Sequence, residues 1–131
     1  MQTVAIKTRR RREMIDVTAH LRQAVADAGL ADGLVVAFVP HTTAGVTINE
    51  NADPDVRLDL LNHCAALVPE RGDYHHAEGN SDAHIQATMV GSSVTVIVRE
   101  GRLQLGTWQS VFFCEFDGPR SRSLYLETVP I

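Results

Sequence analysis

Residues 92–98 read SSVTVIV, residues 108–116 read WQSVFFCEF and residues 121–129 read SRSLYLETV. All three segments are rich in the β-branched and aromatic residues that favour strands. The turn formers between them, EG at 100–101 and DGPR at 117–120, are typical of short connections. Short connections join antiparallel strands, because parallel pairs need a longer crossover. This C-terminal stretch therefore predicts an antiparallel sheet and an α+β fold, not a doubly wound parallel sheet.

The earlier part of the chain predicts further strands. Residues 2–7 (QTVAIK) alternate between polar and apolar, as a half-buried strand does. Residues 13–17 (EMIDV) favour a second strand that leads into a helix over 16–29, with Asp16 or Thr18 as its cap. The continuous apolar run LVVAFV at 34–39 predicts a strand buried on both faces, and residues 43–48 favour another.

Residues 53–69 contain the clearest helix signal. Asp53 is a good N-cap and Pro54 fits the first helical position, while Pro69 ends the helix. A polar loop over 69–80 and a shorter helix over 81–91 follow. Three helices leave apolar sheet surface uncovered, so we expect an oligomer. The apolar stripe of the 53–69 helix consists of Val56, Leu60, Leu61, Cys64 and Leu67.

Composition restricts the kind of protein. A chain of 131 residues with 44% apolar and 21% charged residues predicts a single soluble domain over residues 1–131. Without a span of about 20 apolar residues or a signal peptide, we expect a cytoplasmic protein that contacts no membrane. Cys64 and Cys114, 50 residues apart with no CxxC spacing, predict buried thiols in a reducing compartment.

Charge argues against nucleic acid as the main partner. The formal net charge is −4 and the sequence pI is about 5.8, whereas binding to a phosphate backbone needs a positive surface. The run from Arg9 to Arg12 is the local exception, and it favours a basic turn or a solvated strand end.

Histidines supply the main chemical signal. His41 directly follows a predicted strand, His76 lies in the polar loop, and His84 falls in the first turn of the helix behind it. Three neutral imidazoles with an open fourth position suit a divalent metal, zinc above all. The H-x7-H spacing is not a standard short metal motif, and isolated histidines are more often core or surface residues.

Acidic and polar candidates lie near these histidines in sequence. Glu50, Asp53 and Asp82 are candidate general bases or orienting carboxylates, although Asp53 is equally well explained as an N-cap. Thr42 and Thr43 are strand residues or hydroxyl donors to a phosphate. Three further residues are candidates for ligand binding. A lone tryptophan such as Trp108 is normally a core residue, but the adjacent Gln109 can make two hydrogen bonds to a polar ligand. Arg120 is either an anion ligand or a solvated turn residue.

Three motifs in the same order, HTTAGVTINENADPDV at 41–56, HAEGNSDAHI at 76–85 and GRLQLGTWQSVFFCEFDGPRSR at 101–122, resemble the YjbQ family, also called secondary thiamine-phosphate synthase proteins. The resemblance covers residue 34 to the C-terminus. It implies a β-sandwich-like α+β fold with mainly antiparallel sheets that assembles as a homotrimer. It also implies metal-type histidines at His41, His76 and His84. The family's acidic, amide and WQ positions fall on Asn49, Glu50, Asp53, Asn80, Asp82, Trp108 and Gln109.

Two functional hypotheses follow. The first is a metal-site enzyme, a transferase acting on a small phosphorylated metabolite, with the thiamine-phosphate synthase activity that the resemblance implies. That reaction joins hydroxymethylpyrimidine diphosphate to thiazole phosphate and releases pyrophosphate. The second is a non-catalytic trimeric module that binds a small anionic metabolite or a protein partner, with a structural histidine or metal cluster. An open coordination position distinguishes the first from the second.

Overall fold

The computed structural model describes all 131 residues, in eight strands and three helices. The helices are α1 (Thr18–Asp27), α2 (Pro54–Leu67) and α3 (Ser81–Val90). The strands are β1 (Gln2–Lys7), β2 (Glu13–Asp16), β3 (Gly33–Phe38), β4 (Ala44–Glu50), β5 (Ser93–Arg99), β6 (Arg102–Leu103), β7 (Gln109–Glu115) and β8 (Ser121–Pro130).

The strands form two sheets, and every pairing within them is antiparallel. One sheet has five strands in the order β1-β8-β3-β5-β6, and the other has three in the order β2-β7-β4. The predicted α+β class with three helices and mainly antiparallel sheets is therefore confirmed. The two-residue strand β6 was not predicted, because a segment this short has too few residues to show alternation.

The main core lies where the inner faces of the two sheets and α1 meet. Val35 and Leu126 come from the five-stranded sheet, Val46 and Phe113 from the three-stranded sheet, and Leu21 from α1. Each is at most 1% exposed. Burial of these side chains, at roughly 1.5–3 kcal/mol each, supplies the driving force that holds the layers together.

The outer faces of the two sheets differ. Phe112 and Phe116 of the three-stranded side pack against Ala83 and Ala87 of α3, and the Arg57 guanidinium of α2 lies 5.3 Å from the Phe112 ring centroid. The outer face of the five-stranded sheet has no helix over it. Its exposed apolar side chains are Phe38, Ile97 and Val129, at 43%, 51% and 42% exposure.

The prediction that the 34–39 strand is buried on both faces is wrong for the isolated chain. Val35 and Ala37 are buried, while Leu34 and Val36 are half-buried and Phe38 is exposed. The side chains on the outer face of this strand are apolar like those on the inner face, but no other part of the chain covers them.

Helix α2 begins as predicted but packs more loosely than predicted. The Asp53 carboxylate accepts the Asp55 N–H at 2.9 Å, and Pro54 occupies the first turn. No residue of α2 is fully buried, and Leu67 of the predicted stripe is 57% exposed. Cys64 is only half-buried, which corrects the prediction of a buried thiol.

Cys114 is buried as predicted, and burial raises the pKa of its thiol to about 12. None of the three helices is long and apolar enough to cross a membrane.

The run from Arg9 to Arg12 forms a turn between β1 and β2, as predicted. The prediction that these arginines are solvated is wrong for two of the four. Arg9 and Arg10 are exposed. Arg11 reaches Asp82 at 3.2 Å and Asp117 at 3.1 Å, and Arg12 reaches Asp82 at 2.6 Å. These two guanidiniums are partly buried because they neutralise the fully buried Asp82 carboxylate, an arrangement that a buried charge requires.

Candidate functional site

A polar cleft of about 400 Å³ opens where three connections meet: the residues after β3, the start of α3 and the turn between β7 and β8. Its wall has no hydrophobic side chain apart from one proline. The lining residues are Pro40, His41, Thr42, Thr43, Glu78, Asn80, His84, Asp117, Arg120 and Arg122.

His41 is held in one orientation by the neighbouring strand. The backbone N–H of Ser123 in β8 donates to Nε2 of His41 at 2.9 Å. Burial, and then the positive charge of Arg122, lowers the pKa of His41 below its ordinary value, which favours the neutral imidazole. Because Nε2 accepts this hydrogen bond, the neutral ring carries its proton on Nδ1.

His76 and His84 form an edge-to-face pair beside the cleft. Their ring centroids are 5.3 Å apart. Nδ1 of His76 lies 3.2 Å from the Ser81 hydroxyl at the start of α3, and its Nε2 lies 3.8 Å from a carboxylate oxygen of Glu78. His84 also lines the cleft with His41, so the rings of all three predicted histidines border one region.

The three histidines do not form a metal site in this arrangement. No group of three or more His, Cys, Asp or Glu side chains is placed to hold a metal ion. In addition, the Nε2 lone pair of His41 is used by Ser123 while Nδ1 carries the proton, so this ring has no free donor for a metal. His76 and His84 supply two donors, and a third would have to come from a rearranged His41 or from Glu78.

Asp117 organises the cleft wall opposite the histidines. Its carboxylate accepts from Asn80 Nδ2 at 2.9 Å, from Arg120 Nη2 at 2.9 Å and from Arg11 Nη1 at 3.1 Å. Burial by itself raises the pKa of Asp117, but the hydrogen bonds from Asn80 and Arg120 outweigh it and hold that pKa below its ordinary value. The half-exposed Arg120 guanidinium is thereby fixed at the rim.

A buried ion pair lies directly behind this wall. Arg122 Nε donates to Glu115 at 2.9 Å and its Nη2 donates to the Thr43 hydroxyl at 2.8 Å, while the Thr8 hydroxyl donates to Glu115 at 2.7 Å. Burial alone raises the pKa of Glu115, but the bonds from Arg122, the Asp117 N–H and Thr8 lower it below its ordinary value. Thr43 is therefore part of this network.

Sequence reasoning missed Glu115, Arg122 and Asp117. One signal was present: Glu115 interrupts an otherwise apolar strand, VFFCEF, and a carboxylate in such a position needs a buried partner. The partner is not identifiable from local pattern, since Thr8 is 107 residues away and Arg122 lies on the next strand.

The predicted site residues divide into two groups. The cleft is lined by His41, Thr42, Thr43, Asn80, His84 and Arg120, with the buried Asp82 behind it and His76 beside it.

The second group lies at the other end of β4 and β7, where Glu50 pairs with Gln109, whereas Ala44 pairs with Glu115 at the cleft end. Six residue steps of about 3.3 Å separate the two ends by roughly 20 Å. This second group contains Asn49, Glu50, Asp53, Trp108 and Gln109.

The fold and the cleft define a class: small α+β proteins of two antiparallel sheets with a histidine-lined polar cleft at one sheet end. The chain belongs to the YjbQ family, since the model for "UPF0047 protein YjbQ-like" matches residues 2–130. Membership of the YjbQ family is thus confirmed, without the thiamine-phosphate synthase designation, and the match also includes the N-terminal third.

Relatives and solved structures agree with this assignment. The chain is 49% identical over 124 residues to the UPF0047 protein MJ1081 of Methanocaldococcus jannaschii, covering 95% of this chain and 90% of that one. It is 48% identical over 128 residues to the UPF0047 protein YugU of Bacillus subtilis, covering 97% of each. The crystal structure of a YjbQ/UPF0047 protein from Clostridium acetobutylicum superposes with a TM-score of 0.97 at 48% identity, covering 98% and 100%.

Proposed function

We propose that the cleft binds a small phosphorylated metabolite and that the protein is an enzyme acting on it. The observation that supports this most is the convergence of His41, His84 and Arg120 on a cleft with a polar wall. A guanidinium makes strong charge-assisted hydrogen bonds to phosphate oxygens, and a neutral imidazole N–H is a further donor. Helix α3 begins at Ser81 beside the cleft, and a helix N-terminus adds further positive potential for an anion.

A transferase reaction fits these groups, and thiamine-phosphate synthesis is the specific form that we propose. The bond between the pyrimidine methylene carbon and the diphosphate oxygen breaks, the thiazole nitrogen bonds to that carbon, and pyrophosphate leaves. Arg120 and the Nδ1–H of His41 would stabilise the negative charge that develops on the departing oxygen. Asp117 holds Arg120 in place through two hydrogen bonds, so little reorganisation is needed.

Zinc and a homotrimer belong to the same proposal. A bound zinc ion would supply Lewis-acid stabilisation of the leaving group. His41 is engaged with Ser123 through Nε2, so this nitrogen is not free to bind such an ion. The homotrimer is supported by the apolar outer face of the five-stranded sheet, where Phe38, Ile97 and Val129 are exposed.

The experiment measures binding of pyrophosphate by isothermal titration calorimetry to wild type, His84→Ala and His20→Ala. His20 is an exposed histidine on α1 that is not among the residues lining the cleft, and it serves as the control. We expect binding in wild type and His20→Ala, and at least tenfold weaker binding in His84→Ala, since about 1.4 kcal/mol corresponds to tenfold. Equal binding by all three proteins would contradict the proposed site.

Two assays then separate the finer proposals. Release of pyrophosphate from the two thiamine precursors, lost in Arg120→Ala, would support the synthase reaction. Elemental analysis of untagged protein tests the metal: about one zinc per chain in wild type, lost in His84→Ala, supports a site of the catalytic type. Pyrophosphate binding without turnover would favour the alternative, a non-catalytic module that binds anionic metabolites.

A further inference from the structure

The three-stranded sheet has polar or ionisable side chains that can bind a ligand at both of its ends. The histidine end contains the cleft with His41, His84 and Arg120, and the tryptophan end contains Glu50, Trp108 and Gln109. Strands β4 and β7 connect them, so that the two ends of one chain are roughly 20 Å apart. A ligand of the size of a phosphorylated metabolite cannot contact both ends in the same chain.

The tryptophan end presents binding groups that have no partner in their own chain. The indole of Trp108 is 63% exposed, although large aromatic side chains are normally well buried. The Glu50 carboxylate makes no hydrogen bond or ion pair, since only its backbone N–H is bonded, to Asn49. Gln109 uses its carbonyl oxygen on the Gly106 N–H and leaves its amide N–H groups free.

Exposed charges of opposite sign lie at the two ends, although the exposed Glu78 also lies at the histidine end. Beside the histidine end, Arg9 and Arg10 are exposed on the turn that meets the β7–β8 connection at Gly118. At the tryptophan end, Asp16, Asp53 and Asp55 are exposed around Asn51, which bonds to both Asp16 and the Trp108 carbonyl. Opposite charges at opposite ends favour head-to-tail contact between two copies of the chain.

We propose that a second copy of this chain docks head to tail, so that its Trp108, Gln109 and Glu50 complete the histidine cleft of its neighbour. The composite site would place an aromatic face and a carboxylate beside the imidazoles, which suits a ligand with a planar ring as well as a phosphate. A head-to-tail contact repeated about an axis closes into a ring. Only the identity of the ligand rests on the proposed function.

Trp108 is the sole tryptophan of the chain, so its fluorescence reports on this one position. Cu²⁺ binds imidazole pairs and quenches nearby indole emission over short range, which makes Cu²⁺ the probe. The Trp108→Phe variant keeps the histidines but is dark. The His76→Ala/His84→Ala double variant keeps the tryptophan but lacks the histidine pair. Mixed oligomers are made by co-expression with two different tags and purified through both.

Mixed oligomers are expected to show Cu²⁺-dependent quenching that the double variant alone does not show. In doubly tagged rings of three at equal mixing, about two thirds of the tryptophans have a neighbour with histidines, so about two thirds of the wild-type quenching should return. Absence of quenching in doubly tagged oligomers would overturn the proposal, as would failure of the two variants to co-purify. Quenching in His20→Ala should equal that of wild type. No phosphorylated ligand is used, so the outcome is independent of the pyrophosphate titration.

Discussion

Glu115 is the residue on which the cleft wall depends most. Its carboxylate is 0% exposed and its partner Arg122 is 5% exposed. Replacing Glu115 with Gln leaves the Arg122 charge buried without a counter-charge, and breaking a buried pair in this way costs about 3–5 kcal/mol. We expect the free energy of unfolding, measured by urea denaturation, to fall by that amount. Glu127→Gln is the control, because Glu127 is about half exposed and pairs only with the N-terminal amine.

A loss of under about 1 kcal/mol in Glu115→Gln, close to the effect of an ordinary surface substitution, would show that the bonds from Arg122 to Thr43 are enough to satisfy the guanidinium.

The carboxylates of Glu115 and Asp117 make the stability of the fold sensitive to acid. The pKa values of Glu115 and Asp117 are lowered in the folded state from ordinary values of 4.5 and 3.8. Below those values the unfolded chain binds protons that the folded chain does not, so stability declines as pH falls through 4.5 and continues to decline below 3.8. Urea midpoints between pH 7 and pH 3 measure this. Glu115→Gln should show a shallower decline, and an equal slope in both proteins would contradict the assignment to Glu115.

At the scale of elements, α2 depends on its cap more than on its packing, because none of its residues is fully buried. Asp53→Ala removes the acceptor of the Asp55 N–H and should destabilise the protein by about 1 kcal/mol, measured as a shift in thermal midpoint. Asp59→Ala, an exposed position in the middle of the same helix, should change stability much less.

Asp53→Asn separates the two explanations of this residue. Asparagine caps about as well as aspartate, so stability should be retained in Asp53→Asn. Loss of turnover in that stable variant would support the prediction that Asp53 is catalytic, whereas retained turnover would leave it as a cap alone.

At the scale of the whole molecule, the outer face of the five-stranded sheet exposes apolar side chains that no other part of the chain covers. Ile97 lies on this face, in register with Leu34 of the neighbouring strand, and Leu34 is in turn paired with Val129. Ile97→Lys should shift the protein from an oligomer toward the 14.4 kDa monomer in light scattering, because a charge on a packed apolar interface is costly. Leu58→Lys on α2, a 54% exposed position, is the matched control and should leave the mass unchanged.

Monomeric wild-type protein would contradict this expectation directly. Equal dissociation of the Ile97 and Leu58 variants would instead place the interface on a larger surface that includes α2.

Local sequence pattern determined the α+β class, the positions of the helices and of every strand except β6, and the cap at Asp53, because periodicity and capping depend on residues within a few positions of one another. Pattern did not reveal that the outer face of β3 is uncovered, since an apolar run looks the same whether or not its face has a partner.

Tertiary structure decided which polar residues meet. Arg11 and Asp82 are 71 residues apart, and Thr8 and Glu115 are 107 apart. The sheet register brings His41 to Ser123 but sends Glu50 and Gln109 to the opposite end. The segment HTTAGVTINE therefore has one end at the histidine cleft and the other end at the second group of candidate residues, although it is only ten residues long. A strand advances about 3.3 Å per residue, so side chains only a few residues apart along a strand can lie too far apart to share one site.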